Sequence, residues 1–416
     1  MKTKYTQLVE SATSATQQRK GELQKAFFDS ASHQMLRDCA RELDAVNKHI
    51  TVDDELLENA SAAYHDLSEM LVANLKWGVD QIHVIPQGST STQTLVASPT
   101  RADFDIDAVC HIEVHPSEAH DPLEFFQEVY DAVISMRPQK KNRCMRINYP
   151  NQRFYIDFTP SVPLNSIPAA ARAGMRPVAR YADTAVAVVD IPSKSWKTSN
   201  PLGMVKWVST QADRQILRFQ VIAKEAFDHA RADIQPVPSQ SVPLSDTLRI
   251  AIRLFKRHRD MAVLRKHIVG EFMPISVVIT TLLTQCYEGM ADNNQTYEHP
   301  VELLADLAAL LPAMIESREC EHWVANPTVD GENFAEKWNC DNGQRYSEFH
   351  KWCDLLAADL TSILESANPT ELRVRIQETF GCVDVDGPGP KVDEPGWLAA
   401  KQPPSVKKVP VTTGLA

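Results

Sequence analysis

Apolar residues recur every three or four positions from residue 4 to about residue 77, as at Leu36, Ala40, Leu43 and Val46 and again at Leu56, Leu57, Ala63, Leu67 and Leu71. That spacing lays one apolar stripe along a helix and predicts two or three amphipathic helices. The period then shortens. Residues 81–86 form a short strand-like run, and residues 104–114 alternate apolar and polar side chains, as a strand with one buried face does. Helical spacing returns over 122–136. Residues 143–149 and 153–158 read as two strands joined by the turn-forming Pro150-Asn151, and 184–191 as one more strand beyond a proline-rich connector at 160–177. Past Pro192 the strand pattern stops, and 203–233, 244–267, 274–290, 300–316 and 346–366 carry helix-length apolar patterns.

The expected class is therefore α+β, in three parts. Residues 1–195 hold N-terminal helices and a mixed β-sheet core, 196–380 an all-helical region, and 381–416 an exposed tail rich in Pro, Gly and Lys and poor in large apolar residues. A length of 416 residues agrees with two or three folded units. Forty-three Lys and Arg against 54 Asp and Glu give a net charge of -11, so the overall field repels long nucleic acids and anionic membranes. A phosphate-bearing partner has to be met locally. The eight cysteines follow no framework spacing and read as reduced thiols. The first residues lack the apolar core of a signal peptide, and the uncharged, largely apolar stretch 272–287 is shorter than the roughly 20 apolar residues that span a bilayer. The expected location is the cytoplasm, with no membrane partner.

The informative chemistry lies in Gln87-Gly88-Ser89-Thr90-Ser91-Thr92 and in the strand that follows Arg101-Ala102. Alternation places Asp103, Asp105 and Asp107 on one strand face and Phe104, Ile106 and Ala108 on the other. Like charges so placed are costly unless a cation sits among them, and all-oxygen ligands favour Mg²⁺ or Mn²⁺. The bland alternative is a solvated edge strand whose acids discourage aggregation. A glycine lets a backbone approach closely, and the hydroxyl and free N–H groups after it can cradle a phosphate. Two metals need more ligands than one strand offers, and Asp157, the single acid between residues 140 and 161, is the candidate on a neighbouring strand. Its alternative is a plain ion pair with Arg143 or Arg153.

Gly-Ser, then Asp-apolar-Asp, then a later strand Asp resembles the DNA polymerase β-type nucleotidyltransferases. Within that superfamily the chain is most similar to the bacterial CD-NTases, the cyclic-oligonucleotide synthases of anti-phage (CBASS) signalling related to cyclic GMP-AMP synthase and oligoadenylate synthetase. Further matches are Trp196-Lys-Thr-Ser-Asn200-Pro201-Leu-Gly203, Leu254-Phe-Lys256-Arg-His-Arg-Asp260, Pro274-Ile-Ser276, and Asn326-Pro327 with Glu332-Asn333-Phe334 and Trp338, so that the likeness covers about residues 30–370. The resemblance implies a bilobed fold with a catalytic sheet facing a helical lobe. It implies Asp105, Asp107 and Asp157 as catalytic ligands of two Mg²⁺ or Mn²⁺ ions, with Asp103 leaving the register of the first pair open. Gln87, Gly88 and Ser89 would hold the donor triphosphate, gripped from the other side by Lys256 and Ser276.

The implied reaction joins nucleoside triphosphates, ATP among them and the second base unspecified, into a cyclic di- or trinucleotide with release of pyrophosphate. Nucleotidyl transfer to RNA or protein, and an inactive nucleotide-binding scaffold, are the alternatives. Six basic residues without an acid, Arg137, Lys140, Lys141, Arg143, Arg146 and Arg153, make either a local phosphate-facing field or a solvated surface. His258 and the group Cys320, His322, Cys340, His350 and Cys353 lack tight ligand spacing, and no zinc is assigned. The ending Thr412-Thr413-Gly414-Leu415-Ala416 resembles a substrate of the ubiquitin-ligase-like enzymes encoded beside some CD-NTases, and is equally an ordinary frayed terminus.

Overall fold

Asx residues followed by proline start several of the helices. Asp121 accepts hydrogen bonds from the amides of Leu123 and Glu124 ahead of Pro122, Asn200 from Gly203 ahead of Pro201, and Asn368 from Glu371 ahead of Pro369. Each side chain satisfies an amide that the first helical turn leaves unpaired, while proline at the first position lacks one to satisfy. The computed structural model of the chain describes residues 4–15, 33–99, 103–115, 121–150, 152–214, 216, 237–297 and 300–382. All but the first two residues of the tail expected at 381–416, Arg101, and most of the expected helix 203–233 beyond residue 214 lie outside them. Leaving single-turn helices unlabelled, the order is α1 (Lys4–Ala15), α2 (His33–His49), α3 (Asp54–Asn74), β1 (Ile82–Gln87), β2 (Phe104–Ile112), α4 (Pro122–Ala132), β3 (Gln139–Lys140), β4 (Met145–Asn148), β5 (Phe154–Pro163), β6 (Val186–Asp190) and β7 (Ser195–Ser199). There follow α5 (Pro201–Ala212), α6 (Thr247–Leu264), α7 (Ser276–Asp292), α8 (Pro300–Leu310), β8 (Glu316–Arg318), β9 (Glu321–Trp323), α9 (Gln344–Leu364) and α10 (Pro369–Phe380).

Seven strands make one mixed sheet in the order β1-β2-β5-β4-β3, with β6 on the far end of β5 and β7 beside β6. The β2–β5 pair is parallel and the other pairs are antiparallel. A parallel pair needs a crossover, and α4 lies in it. The even-numbered residues of β2, Ile106, Ala108, Cys110 and Ile112, are fully buried with Tyr64 and Leu67 of α3 and Phe126 and Val129 of α4. The odd-numbered face carries the half-buried acids Asp105 and Asp107, with Val109 buried beyond them. Three strands beyond Pro192 correct the expectation of a strand-free second half: β7 completes the sheet, and β8 and β9 form a hairpin. Helix α10 was not foreseen.

A second core gathers α6, α7, α8 and α9 around Phe255, Leu282, Leu307 and Trp352. Helices α1 and α2 join it, through Val9, Leu43 and Val46. Helix α6 is the polar member of this core. Arg253, Lys256, Arg257, Arg259 and Asp260 are all buried, and buried charge persists only where it is paired or hydrogen-bonded. Arg259 pairs with the neighbouring Asp260, and most of the other partners on this helix are backbone groups of distant segments. Arg249 donates to Thr92 O at 3.0 Å, and Arg257 donates to Phe380 O, Gly381 O and Ala97 O at 2.7, 3.0 and 3.0 Å. One helix thus fixes both the loop after β1 and the end of α10, where Gly381 takes a left-handed cap at φ 63°.

Replacing Arg257 with Ala should lower the unfolding free energy by about 3 kcal/mol, since three carbonyls lose a charged donor at once. A urea midpoint equal to that of the wild-type protein would show that these bonds are not holding α10 in place.

Candidate active site

Strand β1 delivers the Gly88-Ser89 turn to the acids. Its last residue, Gln87, stands opposite Asp107 in the antiparallel ladder with β2. Gly88 then turns the chain at φ 65°, a conformation that costs glycine little, into the single helical turn Gly88–Ser91. A Cβ at Gly88 would collide with Asp107 Oδ2, so the glycine is required twice over. Thr92 Oγ1 donates to Gly88 O at 3.0 Å and the Thr94 amide to Ser89 O at 2.8 Å, which hold the loop closed behind the turn.

The parallel register sets Asp107 level with Asp157 and Asp105 level with Tyr155, and adjacent strands lie about 4.8 Å apart. Asp103 precedes the strand and reaches the same cleft. Tyr64 OH donates to the Asp107 carbonyl at 2.7 Å, anchoring the strand at that rung. Burial pushes the Asp107 carboxyl well above the usual carboxylate range, and the neighbouring Asp105 and Asp157 push it the same way; Lys256 and Arg146 pull it back. This is crowded negative charge on hard oxygen donors, the chemistry of a divalent-cation site.

Asp157 has a partner that the sequence did not name. Arg146 donates Nε to Oδ1 at 2.7 Å and Nη2 to Oδ2 at 2.6 Å, while its guanidinium lies 3.8 Å from the centre of the Tyr155 ring. Arg143, one of the two alternatives, pairs instead with Asp190 and Glu332, and Arg153 lies over Phe104. The reason is register: Arg146 stands directly opposite Asp157 across β4 and β5. A hairpin turning at residues 150–153 pairs i with 303 − i, so the signal was present once the turn was placed. With both Asp157 oxygens on Arg146, no three Asp, Glu, His or Cys side chains converge as a metal-holding group among the described residues.

A cleft of about 210 Å³ opens between the sheet and α6 and α7, and Gly88, Ser89, Asp105, Asp107, Lys256 and Ser276 all line it. Gln87 and Asp157 adjoin it on β1 and β5 but are not part of its wall. Lys256 Nζ donates to Thr94 O at 3.1 Å and Thr94 Oγ1 at 2.9 Å. Burial lowers its pKa to about 7, Arg259 adds to the fall, and Asp260 and Asp107 oppose it. Arg259, Asp260 and Thr280 also line the cleft and went unnoticed as site residues, because Arg and Asp on a helix ordinarily face solvent. The basic run at 137–153 is dispersed: Lys140 donates to Gln127, and Arg143 and Arg146 hold acids. His258 accepts from Trp352 Nε1 on one ring nitrogen and meets Asp359 on the other, and His322 stacks on Tyr346.

Residues 82–160 match the family described as cyclic GMP-AMP synthase DncV-like, nucleotidyltransferase domain. A curated relative, the c-di-GMP synthase of Roseivirga ehrenbergii, is 25% identical over 354 residues, which span 80% of this chain and 85% of that protein. Among solved structures, the Bradyrhizobium diazoefficiens CD-NTase CdnG in complex with GTP is 17% identical with a TM-score of 0.53, covering 82% of this chain and 95% of its own. The Escherichia coli MS115-1 CdnC:HORMA-deltaN complex gives 11% identity and a TM-score of 0.51, covering 85% and 98%. These structures share the bilobed fold, and the match to a DncV-like nucleotidyltransferase domain over 82–160 takes in β1, β2 and most of β5 with Gly88, Asp107 and Asp157, so that the chain is similar to the CD-NTases in fold and in this domain.

Proposed function

We propose that this protein joins nucleoside triphosphates into a cyclic di- or trinucleotide for anti-phage signalling. The observation that carries the reading is the single cleft in which Asp105 and Asp107 face Gly88, Ser89, Lys256 and Ser276, with Asp157 level on the next strand. GTP is the first substrate to test, because the curated relative is a c-di-GMP synthase, and ATP is the second.

In the proposed reaction a 2′- or 3′-hydroxyl gives up its proton to solvent, its oxygen bonds to the α-phosphorus of the donor, the bond to the bridging α–β oxygen breaks, and pyrophosphate leaves. Asp105, Asp107 and Asp157 would hold two Mg²⁺ or Mn²⁺ ions, which when bound offset triphosphate charge and acidify the attacking hydroxyl. The chain supplies the rest. The turn at Gly88 presents its amides and the Ser89 hydroxyl to phosphate oxygens, Lys256 adds a positive charge from the facing helix, and the cleft walls keep donor and acceptor in line. Conjugation of the C-terminus at 412–416 by a ubiquitin-ligase-like partner belongs to the same proposal. Deleting 412–416 should abolish it, and unchanged conjugation with the partner enzymes present would refute that part alone.

Purified protein given labelled GTP and ATP with Mg²⁺ or Mn²⁺ should release phosphatase-resistant small products. Asp105→Ala with Asp107→Ala should reduce them by a factor of about 1000 or more, beyond the 100- to 1000-fold typical of one transition-state contact. Label transferred to added RNA or protein would instead favour the acceptor-tailing alternative, and no turnover under any condition the scaffold.

Lys256 gives a pH test. Its pKa of about 7 leaves it largely neutral at about pH 8, and an incoming triphosphate favours the charged form. Donor binding at about pH 8 should therefore take up a proton, and affinity should fall as pH rises through the pKa. Calorimetry in buffers of different ionisation enthalpy checks this, and Lys256→Met should show no uptake. Equal heats in all buffers for the wild-type protein would mean that Lys256 does not meet the phosphates.

A further inference from the structure

The helical wall of the cleft holds a charged pair that the reaction as described does not use. Arg259 and Asp260 are neighbours on α6, each about 2% exposed, and both line the cleft. Consecutive helix residues point about 100° apart and do not normally meet. Here the arginine curls back, donating Nε and Nη2 to the same oxygen, Asp260 Oδ1, at 2.8 and 2.6 Å. Its remaining nitrogen, Nη1, crosses to α7 and donates to Pro274 O at 3.1 Å and to Ser276 Oγ at 3.2 Å.

Two consequences follow for the polar atoms of the wall. A serine hydroxyl has one proton and two lone pairs. Arg259 takes the acceptor side of Ser276. Ser276 opens α7, so it has no carbonyl one turn back within the helix, and the nearby Pro274 carbonyl already accepts from Arg259. The Ser276 proton is thereby left to point at whatever enters the cleft. The second consequence concerns Asp260 Oδ2, which is buried without a hydrogen-bond partner although its sister oxygen accepts two bonds. It lies one turn beyond Lys256 on the same face of α6. A buried ion pair of this kind is weak evidence for stability, since removing two charges from water offsets most of their attraction.

We propose that Arg259 and Asp260 are a positioning pair for the donor: Asp260 holds Arg259, and Arg259 orients the Ser276 hydroxyl to donate to a terminal phosphate oxygen of the bound triphosphate. This rests on the reading of Ser276 as a donor-phosphate contact. The pair touches no reacting atom. Its effect is on how tightly the β- and γ-phosphates are held, and it reaches them only through Ser276.

The test is a double-mutant cycle on Asp260→Asn and Ser276→Ala in the full chain, read as the Kd for α,β-methylene ATP and α,β-methylene GTP with Mg²⁺. Each single variant should weaken triphosphate binding about 10-fold, the scale of one hydrogen bond to a charged group. The double variant should be within about 2-fold of Ser276→Ala alone, because both remove one contact. Affinity for the nucleoside monophosphates should not change, and turnover should show a raised KM with a nearly unchanged kcat. Should Asp260→Asn not fold, Arg259→Met with Asp260→Leu replaces the pair by apolar groups of similar volume and should keep the melting temperature while losing the same triphosphate affinity. Additive losses of about 100-fold in the double variant, or monophosphate binding that falls in step, would overturn the positioning role and leave the donor reading of Ser276 standing. A silent Ser276→Ala with a normal cycle baseline would overturn the donor reading itself, and this proposal with it.

Discussion

Like charge held level across two strands is the constraint around which this molecule is built. The parallel register of β2 and β5 puts Asp107 beside Asp157, with Asp105 two residues away on the same face. Carboxylates that close, partly removed from water, raise one another's proton affinity, as they do at Asp107. They remain there because cations come to them from opposite sides. Arg146 forks onto Asp157 from β4, and Lys256 approaches Asp107 from α6. The parallel pair in turn demands the α4 crossover, and the crowded rung leaves no room for any side chain at residue 88.

Helix α6 carries the other half of that arrangement. Residues 249, 253, 256, 257 and 260 recur at helical spacing, so one face of a single rod presents three arginines, a lysine and an aspartate. In water such a face would be unremarkable. Buried, every cation on it needs an acceptor, and the acceptors are Thr92, Thr94, Ala97, Gln240 and the last residues of α10. The energetic requirement of the charges becomes a geometric requirement on the loop behind Gly88. The loop after β1 is therefore positioned by a helix that lies some 150 residues later in the chain.

Periodicity read this chain well where one face of an element is apolar and the other is not. Strand β2 and helices α6, α7 and α9 all show it, and the carboxylate alternation that marks the site is the same two-residue period seen from its polar side. Short strands were lost: β8 and β9 have three residues each, too few for alternation to register. The home of α1 and α2 was also out of reach, since an amphipathic stripe reports that a face is buried and not what covers it. Arg146 required the hairpin register as well as the sequence. Arg259 and Asp260 were hidden because a run such as Lys-Arg-His-Arg-Asp looks like a solvated surface; polarity stands in for exposure in a sequence, and α6 is polar and buried.

The packing of α1 carries an implication for synthesis on the ribosome. Its partner is α7: Thr6 Oγ1 bonds Asp292, Asn293 Nδ2 donates to Thr6 O at 3.4 Å, and a side chain at Gly289 would strike Val9 and, at 2.6 Å, Tyr5 O. Helix α1 must wait for residues 276–292 before it has this surface to bury against, whereas α3, the sheet and α4 find their partners before residue 200. A growing chain can thus complete the acid-bearing sheet while α1 is still unpartnered, and the helical wall that closes the cleft is made after the sheet.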